Sequence, residues 1–155
     1  MAAASPSPRS RFGIRFSLLA RRWRRSLDAH LAEAGLSDAT WVPLVHLRES
    51  GGGITQTALA ALVGIDGSSL VRLLDILCRQ GLVERRADAS DGRARLIHLT
   101  VAGKKRVTEI LRELARGEAK LLADLSDAEI AVMLQHFDQI DRRLIAMERR
   151  QEASQ

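Results

Sequence analysis

From residue 11 to residue 34 the apolar positions Phe12, Phe16, Leu19, Trp23, Leu27 and Leu31 recur every three or four residues, the spacing of one helix face, and Gly35 is a natural stop. Ser37 is placed to cap a second helix that carries Trp41, Leu44, Val45 and Leu47 to about Glu49, with Pro43 expected to kink it. Gly51, Gly52 and Gly53 read as a flexible loop, and no Gly-Lys-Ser/Thr follows them at phosphate-loop spacing. Thr55 can cap a short helix ending near Val63, Gly64 and Ile65 make a tight turn, and Asp66 caps a longer helix with Leu70, Leu73, Leu74 and Leu77 on one face. Gly81 fits the left-handed position after that helix, with Leu82 returning onto Leu77. Two helices joined by a short glycine-bearing turn form a helix-turn-helix pattern.

Beyond it, residues 82–86 and 93–99 read as two antiparallel strands around an Asp91-Gly92 turn, the outline of a wing. Thr100 closes the second strand and caps a helix over 101–125. Ser126 and Glu129 form a capping box for a last helix to about Arg150. The apolar residues of that helix, Ile130, Met133, Phe137, Ile140, Leu144 and Met147, follow a coiled-coil seam. The expected fold is mainly α, a winged helix-turn-helix with a two-stranded antiparallel wing and helices at both ends of the chain. Residues 1–10, small, polar and proline-bearing, read as a disordered basic arm.

Composition narrows the function. The 155 residues hold one cysteine, Cys78, so a disulfide framework and a multi-cysteine zinc site are excluded. Two tryptophans, three phenylalanines and no tyrosine leave little for a base-stacking platform. The formal charge is +5, from 24 Lys and Arg against 19 Asp and Glu. Seven of those bases (Arg9, Arg11, Arg15, Arg21, Arg22, Arg24 and Arg25) lie in an acid-free start, and the rest of the chain is slightly acidic. That start resembles a mitochondrial transit peptide, but its apolar stripe runs unbroken to Leu31, which argues against cleavage. No apolar run approaches membrane-spanning length, and the expected setting is a soluble, reducing compartment.

Catalysis finds no support. His30, His46, His98 and His136 fall in four different elements, no pair has metal-site spacing, and no nucleophile elbow is present. The reading is therefore no enzyme, no metal and no cofactor. The outward face of the second helix of the helix-turn-helix carries Gly67, Ser68, Ser69, Arg72, Ile76 and Arg79. Small hydroxyls near a helix N-terminus hold phosphates and an arginine one turn on reaches guanine O6 and N7; the plainer alternative makes the serines first-turn residues and Arg72 a solvated charge. Arg93 and Arg95, just past the wing turn, suit the narrow minor groove. Arg86 suits a phosphate, whereas Arg85 reads as part of a surface network with Glu84, Asp88 and Asp91. Cys78 reads as half-buried packing, its alternative being a redox switch.

Helices flanking a helix-turn-helix and wing, through GLSDATWVPLVHL (35–47), VGIDGSSLVRLLDIL (63–77), GLVERR (81–86) and SDGRARLIHLT (90–100), resemble the MarR family of bacterial transcription regulators, especially its SlyA branch, over residues 11–150. The resemblance implies a homodimer built from residues 11–35 and 101–150, and a DNA-binding region over 36–100 that reads a pseudo-palindromic operator in double-stranded DNA. By position it assigns Ser68, Ser69 and Arg72 to the major groove, Arg93 to the minor groove, and Thr55 and Gln56 to phosphates; Gly92 stands where relatives often carry a further wing arginine. It also implies a repressor in the bacterial cytoplasm, on the nucleoid when bound, released by a small aromatic carboxylate. Trp41 matches a pocket position, with His46 and Arg15 or Arg22 as partners for the carboxylate; a core role for Trp41 is the alternative. Two other readings stay open: a redox-responsive regulator acting through Cys78, and a winged helix used for protein–protein contact.

Overall fold

The computed structural model describes residues 7–36, 40–88 and 95–153, which fall into two compact units, Met1–Glu118 and Ala119–Gln155. Helix α1 (Pro8–Glu33) begins three residues before the sequence expectation. Ser7 accepts the Arg9 N–H and Pro8 takes the first helical position, where its missing donor costs nothing. Residues 8–10 are therefore helical rather than part of a disordered arm, while 1–6 lie outside the described residues. Only Leu27 and Leu31 of the apolar stripe are buried; Phe12, Phe16 and Leu19 are exposed, with the two phenylalanine rings stacked at 5.9 Å.

Helix α2 (Trp41–Glu49) starts after Thr40, and the expected cap Ser37 lies outside the described residues. Pro43 is thus the third residue of the helix, in the first turn, where no amide needs an intrahelical acceptor. The expected kink has no cause. Trp41, Leu44 and Leu47 join the core, which also takes Leu59, Leu70 and Leu77 from the next two helices.

The sheet has three strands where two were expected: β1 (Ile54–Thr55), β2 (Val83–Ala87) and β3 (Arg95–Leu99), in the order β1-β3-β2. β1 is too short to show a period in sequence. It pairs Ile54 with Ile97, and Gly53 N–H extends the ladder to Ile97 O at 2.9 Å. β2 and β3 pair antiparallel from Val83↔Leu99 to Ala87↔Arg95. Val83, Ile97 and Leu99 are buried on the core side, while Glu84, Leu96 and His98 on the opposite face are only half-buried, the alternation a half-buried strand requires. Arg85 and Arg95 share the core-side face but are exposed toward the far end of the hairpin. The expected Asp91-Gly92 turn lies outside the described residues.

Helix α5 (Val101–Leu121) is tied to the wing at its first turn. Thr100 Oγ1 donates to Gly81 O at 2.6 Å and accepts the Gly103 N–H at 3.0 Å. Val107, Ile110 and Leu114 face the core, and Gly117 admits Leu27 and His30 of α1. The helix ends four residues before the expected 125. In the second unit α6 (Asp127–Glu152) begins with the expected capping box between Ser126 and Glu129. None of its described residues is buried, and Met133, Phe137, Ile140, Leu144 and Met147 are exposed.

Candidate DNA interface

Helices α3 (Gln56–Val63) and α4 (Gly67–Arg79) are delimited by three local devices, the last two of which fix the turn between them. Thr55 Oγ1 accepts the Ala58 N–H at 3.2 Å. Gly64, at φ 73°, ends α3 in the left-handed region, and the N–H groups of Gly64 and Ile65 both reach Ala60 O. Asp66 then caps α4. Leu70, Leu74 and Leu77 anchor α4 in the core. Its end closes as the sequence predicts: Gly81 is at φ 70°, its N–H bonded to Cys78 O, and the Leu82 N–H reaches Leu77 O at 3.0 Å.

With that face buried, Ser68, Ser69, Arg72 and Arg79 are exposed and half-buried Ile76 lies among them. The Asp66 carboxylate accepts the Ser68 hydroxyl, the Ser69 hydroxyl at 2.7 Å and the Ser69 N–H at 2.9 Å. These bonds hold Asp66 well below the usual carboxylate range, Ser68 contributing most. Both hydroxyl protons are turned toward Asp66, so in this arrangement the serine oxygens are available outward as acceptors. Arg72, one turn further on, makes no hydrogen bond or ion pair among the described residues.

In the wing, Arg85 pairs with Asp75 of α4 at 2.8 Å, a partner outside the expected network. Asp75 is the acid nearest Arg72 along the exposed side of α4, and this pair offsets its charge. Arg86 is held by Glu84, two residues back on the same strand face, with its side chain still 60% exposed. Arg95 is exposed at the start of β3, opposite Ala87; Arg93 lies outside the described residues. Thr55 is exposed and Gln56 half-buried at the start of α3. Cys78 is a half-buried free thiol near the end of α4.

The residues expected to hold a carboxylate ligand are differently placed. Trp41 is 8% exposed, donates its indole N–H to Asp28 at 2.8 Å, and has the Arg24 guanidinium 4.9 Å from its ring centroid. This is the environment of a core tryptophan with its polar edge satisfied. His46 faces Glu49 at 3.6 Å on its own helix, and Arg15 and Arg22 are exposed on α1. A cleft of about 500 Å³ is lined by Ala20, Arg21, Arg24, Arg25 and Asp28, and another of similar volume by residues of α2, the wing and α5. Arg15, Arg22, Trp41 and His46 line neither. The sequence reading missed Arg24 and Asp28 as partners of Trp41, because nothing local to α1 marks which of its arginines crosses to α2.

A core-anchored helix-turn-helix followed at once by a β-hairpin is a winged-helix DNA-binding fold. This chain belongs to the MarR family of transcriptional regulators, whose profile matches residues 34–94. It is similar over 87% of its length to 98% of the transcriptional regulator PA3341, at 37% identity and a TM-score of 0.78. A MarR-family regulator from Rhodococcus sp. RHA1 is 25% identical over 88% of this chain and 97% of that one, with a TM-score of 0.74. The regulator SlyA is 26% identical over 83% and 93%, at 0.71, so the likeness is to the family and does not single out the SlyA branch. As a MarR-family regulator the protein is a non-enzymatic DNA-binding protein. Among the described residues no helix is long and apolar enough to cross a membrane.

Proposed function

We propose that the protein represses transcription as a homodimer, setting its two α4 helices into successive major grooves of a pseudo-palindromic operator, with each wing at the flanking minor groove. The observation that carries this reading is Arg72: exposed, without a partner among the described residues, and one turn into a capped helix whose N-terminal face is open. Arg72 reads a guanine, Ser68 and Ser69 accept from base-edge donors near it, Thr55 and Gln56 meet phosphates, and Arg86, Arg93 and Arg95 serve the wing. Dimerisation through residues 11–35 and 101–150 is supported by the exposed apolar stripes of α1 and α6, which a second copy would cover. The work takes place in the bacterial cytoplasm, where the operator is. The test is a gel-shift series with the DNA upstream of the protein's own gene. An inverted repeat with half-sites centred about 10–10.5 base pairs apart, or a multiple, should be shifted in preference to scrambled duplex. Equal affinity for the two duplexes removes the operator reading; a winged helix used only for protein contact would bind neither duplex.

A small aromatic carboxylate as the releasing ligand has one supporting observation, the arginine-lined cleft on α1 whose Arg24 and Asp28 also hold Trp41. Ligand there would perturb the Trp41 ring through Arg24. Salicylate should therefore quench tryptophan fluorescence and weaken operator binding together; quenching in a Trp41→Phe variant equal to wild type would place the ligand elsewhere.

A further inference from the structure

We propose that the cleft between the C-terminal end of α2 and the base of the wing binds a small polyanion, a phosphate ester or polycarboxylate carrying at least two negative charges. The cleft has a volume of about 500 Å³, and its polar side chains are basic throughout: Arg48 of α2, Arg86 of β2, His98 of β3 and Lys104 of α5. Among the described residues no carboxylate lines it. Leu47 and Leu99, both buried, form its apolar floor.

The charges there are incompletely matched within the chain. Arg86 is tied to Glu84, so that pair is neutral. Arg48 makes its side-chain hydrogen bond to the uncharged Thr108 Oγ1, at 3.4 Å, and Lys104 makes no ion pair among the described residues. Two permanent cations thus face one cavity without a counter-charge, which sets the ligand's minimum charge at two. Lys104 stands near the start of a 21-residue helix, whose positive end adds to the same potential. The wall opposite is fixed by close packing. Gly52 and Gly53, at φ 82° and 69°, lie against the His98 ring, and a Cβ at Gly53 would meet its Cε1 at 3.0 Å. The volume lies within the usual range of small-molecule sites and exceeds what a single chloride needs.

The three permanent cations come from three elements that meet only in the folded chain, so a bound polyanion bridges the helix-turn-helix body, the wing and α5. Its effect on DNA rests on the proposed phosphate role of Arg86, whereas the site itself stands on the cleft alone. Anion and DNA then compete for Arg86, and each weakens the other by the same factor.

The test is calorimetric titration of the full chain with inorganic pyrophosphate and with citrate, at constant ionic strength and with acetate as the monovalent comparison. One site per chain is expected, with acetate about tenfold weaker or more, since it forgoes a charge-assisted hydrogen bond. Arg48→Gln with Lys104→Gln should lower affinity for pyrophosphate about tenfold or more while leaving the melting temperature without ligand unchanged. Lys105→Gln, beside the cleft but outside its lining, should bind as wild type. Absence of binding by pyrophosphate and citrate overturns the proposal, as does equal binding by the double variant. A third result also overturns it: pyrophosphate fails to compete with sheared duplex DNA, and the double variant lowers the salt slope of DNA binding by about two, one for each phosphate left without its cation. That outcome would assign the two cations to the DNA backbone.

Discussion

Asp66 arranges the exposed start of α4, because one carboxylate accepts two serine hydroxyls and a backbone N–H. Its depressed pKa has a definite sign in stability. A carboxylate held below its unfolded value of about 3.9 stabilises the folded chain above that pH and loses the contribution as pH falls toward the folded value. Asp66→Asn should keep a cap but flatten the acid limb of a melting-temperature profile below about pH 4, and Asp66→Ala should in addition lower the melting temperature at neutral pH. An acid limb unchanged in Asp66→Asn would show that other carboxylates set it. For Arg72 the expected loss is in recognition. Arg72→Ala should weaken operator binding by about 1–3 kcal/mol and relax the preference at one base pair per half-site, leaving the melting temperature as it was. A uniform loss across all sequences would make Arg72 a phosphate contact instead. The cap at Asp66 and the outward arginine were both legible in sequence, since each follows from spacing along one helix. The two serine hydroxyls on Asp66 and the Arg85–Asp75 pair were not, because side-chain rotation and packing between elements choose those partners.

Between elements, glycines mark where backbones come together, and the three cases differ in sign. A Cβ on Gly103 would stand 2.0 Å from Leu82 O, where α5 crosses the entrance to the wing. The obstacle is backbone held by the Thr100 and Leu82 bonds, so Gly103→Ala should cost about 3 kcal/mol or more as the junction is forced apart. Gly13, inside α1, meets nothing within 4 Å, and Gly13→Ala should stabilise by about 0.5–1 kcal/mol through helix propensity. Gly64 has space but a left-handed φ, so alanine there should cost about 1 kcal/mol. Urea midpoints of the three variants, ordered Gly13→Ala above wild type above Gly64→Ala above Gly103→Ala, check the set. Sequence pattern located the turn at Gly64 because the turn is local. It gave no sign of Gly103, whose role depends on a strand end folded back from earlier in the chain.

At the scale of the molecule, the stripes on α1 and α6 are the largest feature left unexplained by a single chain. Phe12, Phe16 and Leu19 on one helix, and Phe137, Ile140 and Leu144 on the other, are each at least 39% exposed. Leaving such stripes in water forgoes about 1.5–3 kcal/mol for each large side chain that a partner would bury. Phe137→Glu should therefore yield monomers in sedimentation analysis, together with a large loss of operator affinity, since each half-site would be bound alone. A variant that stays dimeric and binds normally would place the dimer contact elsewhere.

The caps at Thr55, Asp66 and Ser126 and the left-handed glycines 64 and 81 were fixed by residues within a few positions of one another, so sequence alone determined the order of the six described helices and the presence of the two wing strands. The same local reasoning placed a helix start at Arg11 and a kink at Pro43, and both yielded to a proline lying in a first turn. Tertiary structure decided what locality cannot: that Ile54 and Thr55 add a strand, that Trp41 is held by Arg24 and Asp28 within the core, and that Arg48, Arg86 and Lys104 share one cleft. Those contacts join segments with no common period, and only the packing of α2, the wing and α5 around one apolar core brings them together.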